Sequence, residues 1–370
     1  MSTRKRVWTR ASQRARSSHS GVLAKGQGTF GIQPQVSDRR VYLASQYAIG
    51  PRGGVLAALN ASTGAVLWKF NTVTGPDPGV ESLGLGSGGA WETPLVGTDG
   101  SVTYGIGNPY QSMESAIAHP AAQLYTDSDV KLDAARGKLR WYYQGVPNDF
   151  KDYDMQASPI SAVAGGVPVV IGSGKMGYVY EMNAGTGKLI WQTPVGEQNG
   201  TEGDSLKLLE HRIALKVPYT IAPGSLGGVL TDLALADGTV YAATLNVPLA
   251  YTSLSQPSGV KPVSRDEDSG EVVALSVATG KVVWATKLKS VPLGAVTVSN
   301  DLVFTTIYNA LVAMNRRTGA IVYERKLPTT TNAPIAIAGR MIIVPAGGIT
   351  GKRLGVSLNP QVVAYRVPGS

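Results

Sequence analysis

A chain of 370 residues with 45 glycines, 22 prolines, 43% hydrophobic and only 16% charged residues holds ample apolar material for a core, and it is not a disordered composition. The absence of cysteine excludes disulfides, thiolate metal sites and covalent c-type haem attachment, and no run reaches the ~18 consecutive apolar residues of a membrane-spanning helix. The net charge of +9 would suit a nucleic-acid partner were it spread over a fold, but seven Lys and Arg lie in residues 1–25 with no acid among them, which leaves the rest of the chain nearly neutral and argues against nucleic acid.

In chain order, residues 1–25 form an Arg- and Ser-rich tail without apolar period, expected to be disordered and outside the fold. The tail lacks the continuous apolar segment of a secretory signal, so the chain as written is expected to stay in the cytoplasm. From residue 26 to residue 370 a single domain is expected. It begins with GIQPQV, VYLASQ, VLAALN and AVLWKF, four apolar-alternating runs split by turn residues, which read as one four-stranded blade ending at Trp68.

The stretch that closes this blade recurs. LNASTGAVLWKF from Leu59 is followed by LDAARGKLRWYY from Leu132, MNAGTGKLIWQT from Met182, LSVATGKVVWAT from Leu275 and MNRRTGAIVYER from Met314. Each copy starts on an apolar residue, has Gly at its sixth position and a large aromatic at its tenth: Trp68, Trp141, Trp191, Trp284 and Tyr323. Self-similarity at this scale governs the fold. The glycine permits a chain reversal between two strands, and the aromatic falls at one place after every turn. A strand–turn–strand unit with one repeated bulky residue at the sheet-to-sheet contact predicts an all-β fold, a β-propeller of four-stranded blades. About six blade units are visible, the last (PIAIAG, MIIVPAGG, QVVAYRV) without an aromatic phrase. Long insertions at 71–90, 108–131, 196–224 and 250–270 belong to the propeller faces, where a ligand or a protein partner would be held.

Along the chain a few residues could carry chemistry. Gly84–Gly89 fits G-x-G-x-x-G but lacks the strand–helix context of a dinucleotide loop, and reads instead as a flexible approach to Trp91. In PNDFKDYDM (147–155), Asp152 and Asp154 are two apart, so an extended backbone puts both carboxylates on one side, within reach of a hard cation or a reacting proton; the competing reading is a solvated acidic turn. Asn108 in GIGNPY reads as a turn residue or an oxygen ligand, and Lys175 in GSGKMGY as a surface lysine or an anion partner. The three histidines, at 19, 119 and 211, have no paired spacing, which argues against a histidine zinc site.

Taken together, these segments resemble the pyrroloquinoline quinone (PQQ) dependent alcohol dehydrogenases and their non-enzymatic propeller relatives, from about Gly26 to Val367. WETPLVGTDGSVTYGIGNPY is similar to the family segment in which a Trp floors the quinone and an Asn ligates the metal, which implies these roles for Trp91 and Asn108. PNDFKDYD resembles the segment that supplies the catalytic base, implying Asp152, and Asp154 stands where lanthanide-using members carry a second acid. GSGKMGYVY looks like the segment with a basic contact to the quinone, implying Lys175. By this resemblance the cofactors are PQQ with Ca2+ or a lanthanide, and the partners a small alcohol and an unidentified electron acceptor. The family pattern also has eight blades, an export signal, adjacent cysteines and a Glu metal ligand where this chain has Gln46. Its exported members imply a secreted, N-terminally truncated version of a longer protein, and its non-catalytic assembly-factor members imply the alternative of an interaction scaffold.

Overall fold

The computed structural model describes residues 29–30, 32–47, 53–76, 86–256, 268–347 and 361–366. The basic tail lies outside the described residues, as do parts of the 71–90 and 250–270 insertions. The chain divides into two compact units: Met1–Pro159 with Gly203–Lys216 and Ser253–Ser258, and Ile160–Glu202 with Val217–Thr252 and Gly259–Ser370.

The first unit holds two antiparallel sheets. One is built from Gln35–Ser37, Arg40–Tyr47, Val55–Asn60 and Val66–Asn71 paired in sequence, with Thr29–Phe30 also against the second strand. The other pairs Leu95–Val96, Ser101–Gly105, Ser128–Asp133 and Leu139–Gln144. In the second unit, Ile160–Ala164, Val167–Ser173, Tyr178–Asn183 and Leu189–Pro194 form one four-stranded sheet, and Ala234–Ala236, Thr239–Asn246, Ser269–Ser276 and Val282–Leu288 the next. A further four-stranded sheet runs through Thr297–Ser299, Leu302–Ile307, Ala310–Asn315 and Ile321–Lys326; Ala336–Ala338, Met341–Ala346 and Gln361–Arg366 make a three-stranded one. Tyr219–Ile221 and Leu249–Tyr251 pair as a separate ribbon. Short turns, as between Ser128–Asp133 and Leu139–Gln144, join only antiparallel neighbours, and the strands on either side of the long insertions keep the same up-and-down order.

The repeated phrase makes the last hairpin of a sheet, and its reversal is wider than a two-residue Thr-Gly turn. In the copies starting at 59, 132, 182 and 314, the second-position Asn or Asp accepts backbone N–H bonds through its side-chain Oδ1, as from Ser62 and Thr63 to Asn60 at 2.9 and 3.0 Å. The sixth-position glycine donates its N–H to the second residue's carbonyl, at 2.8 Å for Gly64 to Asn60 and for Gly137 to Asp133. A β-bulge follows in all five copies. Ala58 pairs with Trp68 while Leu59 pairs with Val66, so Leu67 is pushed out of the ladder, and Arg140, Ile190, Val283 and Val322 stand at the same place.

The aromatic then docks on the following phrase. Trp68 Nε1 donates to the Ala134 carbonyl at 3.0 Å, Trp191 Nε1 to Val277 at 2.9 Å and Trp284 Nε1 to Arg316 at 2.9 Å. In each case the acceptor is the third residue of the next phrase, and that phrase's sixth-position glycine lies against the ring. Such docking buries the indole and satisfies its only polar hydrogen. Tyr42, Leu56, Val102, Tyr104, Val130 and Leu132 surround Trp68 in the first unit, while Tyr241, Val303 and Met314 surround Trp284 in the second. Opposite the aromatic the partner is Ala58, Ala274 or Ala313 in three sheets, but Lys131 and Glu181 in the other two. Lys131 bonds Asp99 at 2.9 Å and lies 5.7 Å from the Trp141 ring centre. Tyr323, ahead of a sheet that carries no phrase, is 46% exposed on a strand exposed along its whole length.

Candidate functional site

Asn108 stands three residues beyond the strand Ser101–Gly105, and the loop 145–155 leaves the strand Leu139–Gln144 of the same sheet. Two glycines let them meet. A Cβ on Gly105 would run into the Met155 carbonyl, and one on Gly107 would lie 2.5 Å from Cη2 of Trp91 and 2.8 Å from Oδ1 of Asp154. Gly-Ile-Gly before Asn108 is therefore a requirement of close approach.

At this crossing Asn108 Nδ2 donates to Asp152 Oδ1 at 2.5 Å and to Asp154 Oδ1 at 2.8 Å, and the Asn108 backbone N–H donates to the same Asp154 oxygen at 2.7 Å. The amide cannot turn around, because its Oδ1 accepts from the Tyr110 N–H at 2.5 Å. Asp152 is 9% exposed, Asp154 and Asn108 1% each. The solvated-turn reading of this acidic pair is thereby replaced by a buried one.

The segment around Gly84–Gly89 is described from residue 86 and runs along Asn108. Gly88 N–H donates to the Asn108 carbonyl, Gly107 N–H to the Gly89 carbonyl, and Ser87 Oγ to the Pro109 carbonyl at 2.6 Å. This strip delivers Trp91, half-buried, onto Gly107 beside Asp154. The structure thus brings Trp91, Asn108, Asp152 and Asp154 together in the first unit. Lys175 belongs to the second unit, where it is buried next to a turn closed by Gly177 N–H on the Gly174 carbonyl, with Val229 N–H donating to the same carbonyl. His119, at the end of the helix Met113–Ala118, and His211 are exposed, in keeping with their reading as surface residues.

Residues not singled out in the sequence hold the loop in shape. Asp149 Oδ1 accepts from Lys151 N–H at 2.9 Å and Oδ2 from Tyr153 N–H at 2.8 Å, which folds the backbone around its carboxylate. Burial pushes the Asp149 carboxyl up, against the lowering effect of these bonds and of the Lys151 charge. Gln111 and Gln123 exchange amide bonds at 3.1 and 2.7 Å, and Gln111 Nε2 also reaches Asn148 Oδ1 at 3.2 Å, tying the 108–131 insertion to the acidic loop. The only signal for Asp149 was an acid two residues before a backbone turn. Tyr110, Gln123, Asp127, Asn148 and Asp152 all adopt positive φ, half of the ten such non-glycine residues described. Backbone held in this region concentrates where side chains must be aimed.

Two carboxylates sharing one amide nitrogen are close like charges, a favourable place for a hard cation with oxygen ligands. No group of three or more acidic or histidine side chains surrounds a metal position among the described residues, so other oxygens must complete its shell. Asp152 and Asp154 are hard oxygen donors of the kind Ca2+ or a lanthanide takes, whereas Asn108, expected as a ligand, presents Nδ2 to them and its Oδ1 to the Tyr110 N–H; the Trp91 ring beside them offers a face for a planar molecule.

The family model for the glucose/ethanol/alcohol dehydrogenase β-propeller domain matches residues 40–206, and that for the outer membrane protein assembly factor BamB matches 268–359. Quinohemoprotein alcohol dehydrogenase of Comamonas testosteroni is 25% identical over 88% of this chain and 54% of its own length; lupanine 17-hydroxylase of a Pseudomonas species is 25% identical over 73% and 45%. The chain spans about half the length, or less, of the curated relatives it matches. Among solved structures, the Comamonas enzyme superposes with a TM-score of 0.73 at 21% identity over 94% of this chain and 62% of that one. BamB from Moraxella catarrhalis superposes at 0.53 and 18%, over 93% and 78%. These likenesses establish the all-β propeller fold built from four-stranded sheets.

Proposed function

We propose that this chain, whose residues 40–206 match the glucose/ethanol/alcohol dehydrogenase β-propeller model, is a PQQ-dependent alcohol dehydrogenase-like propeller that oxidises an alcohol at the site formed by Trp91, Asn108, Asp152 and Asp154. The observation that carries this reading is the convergence of both aspartates on the Asn108 amide beside Trp91. Bound PQQ with its cation supplies an electrophilic carbonyl that accepts hydride from the alcohol carbon.

The residues divide the remaining work. Asp152 would take the hydroxyl proton onto a carboxylate oxygen, which lets the alcohol carbon give up its hydride to a bound acceptor and leave as the carbonyl product. Asn108 holds Asp152 in place through its amide N–H and keeps the carboxylate aimed. Asp154, with Asp152, holds the cation, and Asn108 Oδ1 joins if it is released from Tyr110. Trp91 supports the quinone ring. The titration of purified protein with PQQ, followed by Trp fluorescence in Ca2+ and separately in La3+, tests this reading. Saturable, metal-dependent quenching that is lost in Trp91→Ala, together with dye-linked alcohol oxidation, is expected; no quenching with either ion would refute it.

The match of residues 268–359 to an assembly-factor model favours a second reading, a scaffold that binds a protein partner through the second unit. That reading predicts no PQQ binding and no effect of Asp152→Asn on any function of the protein.

A further inference from the structure

Asp149, Lys151 and Tyr153 are buried, and Asp152, between the last two, is the most exposed residue of 148–155 at 9%. The backbone N–H groups on either side of Asp152 end on the two oxygens of one carboxylate: Lys151 donates to Asp149 Oδ1 at 2.9 Å and Tyr153 to Asp149 Oδ2 at 2.8 Å. Between these two bonds the Asp152 backbone stands at φ +66°, in the left-handed region that an L residue enters at a cost in free energy. Asp149 holds that conformation through the backbone, while Asn108 Nδ2 holds the side chain through its bond to Asp152 Oδ1. The clamp hangs from a fixed point, because the residue before it, Asn148, donates its amide to the Ala116 carbonyl at 3.3 Å and accepts from Gln111 at 3.2 Å.

We propose that Asp149 is a positioning residue for alcohol oxidation, which aims the Asp152 carboxylate by clamping the backbone on both sides of it. The proposal rests on the reading of Asp152 as the group that takes the hydroxyl proton. Each of the two N–H groups needs its own acceptor oxygen; a carboxylate supplies both, whereas an amide supplies one and turns an NH2 group against the other donor. Once one bond is lost, the left-handed residue is free to relax and its carboxylate leaves the line set by Asn108. Proton transfer requires donor and acceptor within hydrogen-bond reach, so a small displacement of Asp152 slows the reaction directly.

The test compares the full chain as wild type, Asp149→Asn, Asp152→Asn and the double variant, each checked for folding by circular dichroism. Without added quinone or cation, hydrogen exchange across residues 145–156, followed by mass spectrometry, is expected to quicken about tenfold in Asp149→Asn. With cation and quinone at saturation, kcat for dye-linked alcohol oxidation is expected to fall roughly 10–100-fold in Asp149→Asn, but less than about twofold when the same change is made in Asp152→Asn, where no aimed base remains. Should Asp149→Asn fail to fold, Asp149→Ser, which also keeps one acceptor, takes its place with the same expectation. Unchanged exchange overturns the proposal, and so does an equal rate loss in both backgrounds, the result expected of a carboxylate that merely closes the loop. If Asp152→Asn alone keeps wild-type activity, or wild type oxidises no alcohol, the reading of Asp152 itself fails and takes the proposal with it.

Discussion

Asp154 Oδ1 accepts two hydrogen bonds from Asn108, one from the backbone N–H at 2.7 Å and one from the side-chain amide at 2.8 Å, so the acid fixes both the position and the orientation of its neighbour. Asp154→Ala leaves that buried backbone N–H unmatched and removes one of the two acceptors of the side-chain amide. The expected cost is about 1–3 kcal/mol of folding stability, read by urea denaturation, with a larger loss in cation affinity read by titration. A variant as stable and as cation-binding as wild type would remove Asp154 from the site.

Asp152 is expected to act in the reaction and to contribute little to the fold. In Asp152→Asn the amide fills the same volume but accepts no proton. Alcohol oxidation by the PQQ-loaded protein, measured at saturating cation and quinone, should fall by roughly 10²–10⁴. Activity within a factor of two of wild type would show that another group takes the proton.

Two glycines at the same position of the repeat separate backbone strain from packing. Gly64 has φ +71° with open space around it, so Gly64→Ala should cost about 1 kcal/mol, the penalty of a left-handed non-glycine residue. Gly137 has φ +67° and lies on the Trp68 ring, where an added Cβ would sit 2.5 Å from Cδ2. Gly137→Ala should cost roughly 1–3 kcal/mol more, through overpacking against the buried indole. Chemical denaturation of the two variants measures the difference, and equal losses would mean that the ring yields easily.

Stability should fall as pH rises. Burial pushes the Asp129 carboxyl up to about 8, and its Oδ2 has no hydrogen-bond partner. Burial pushes Glu181 to about 7, against a smaller lowering by the Trp191 indole N–H, which is bonded to Val277. Between the unfolded values near 4 and these folded ones, the native protein holds protons that the unfolded chain has released, so each step up in pH favours unfolding. The loss accumulates from about pH 4 to about pH 8 and then levels, with a ceiling of about 5 kcal/mol for Asp129. Asp129→Asn should flatten the decline and gain most over wild type at pH 9, as followed by melting temperature across pH.

Much of the repeat was legible because its determinants are local. Asn60, Gly64 and Trp68 lie within nine residues, and the side-chain turn, the positive φ and the strand that follows need only that segment. The bulge at Leu67 was not legible. Alternation alone cannot say which residue of Val66, Leu67 and Trp68 leaves the ladder, since all three are apolar. Nor does the phrase around Met314 disclose that Tyr323 stands exposed, because docking depends on the phrase that follows.

The sequence by itself determined an all-β chain of hairpins with an aromatic at one place in each, and it marked Trp91, Asn108, Asp152 and Asp154 as chemically apt. Only the tertiary structure decided that Trp68 bonds a carbonyl 66 residues away, that Asn108 spans two acids 44 and 46 residues away, and that Lys151 is buried. The physical reason is the range of the forces involved. Turn geometry and alternation are settled by neighbours along the chain, whereas burial and the pairing of polar groups depend on what distant strands place alongside them.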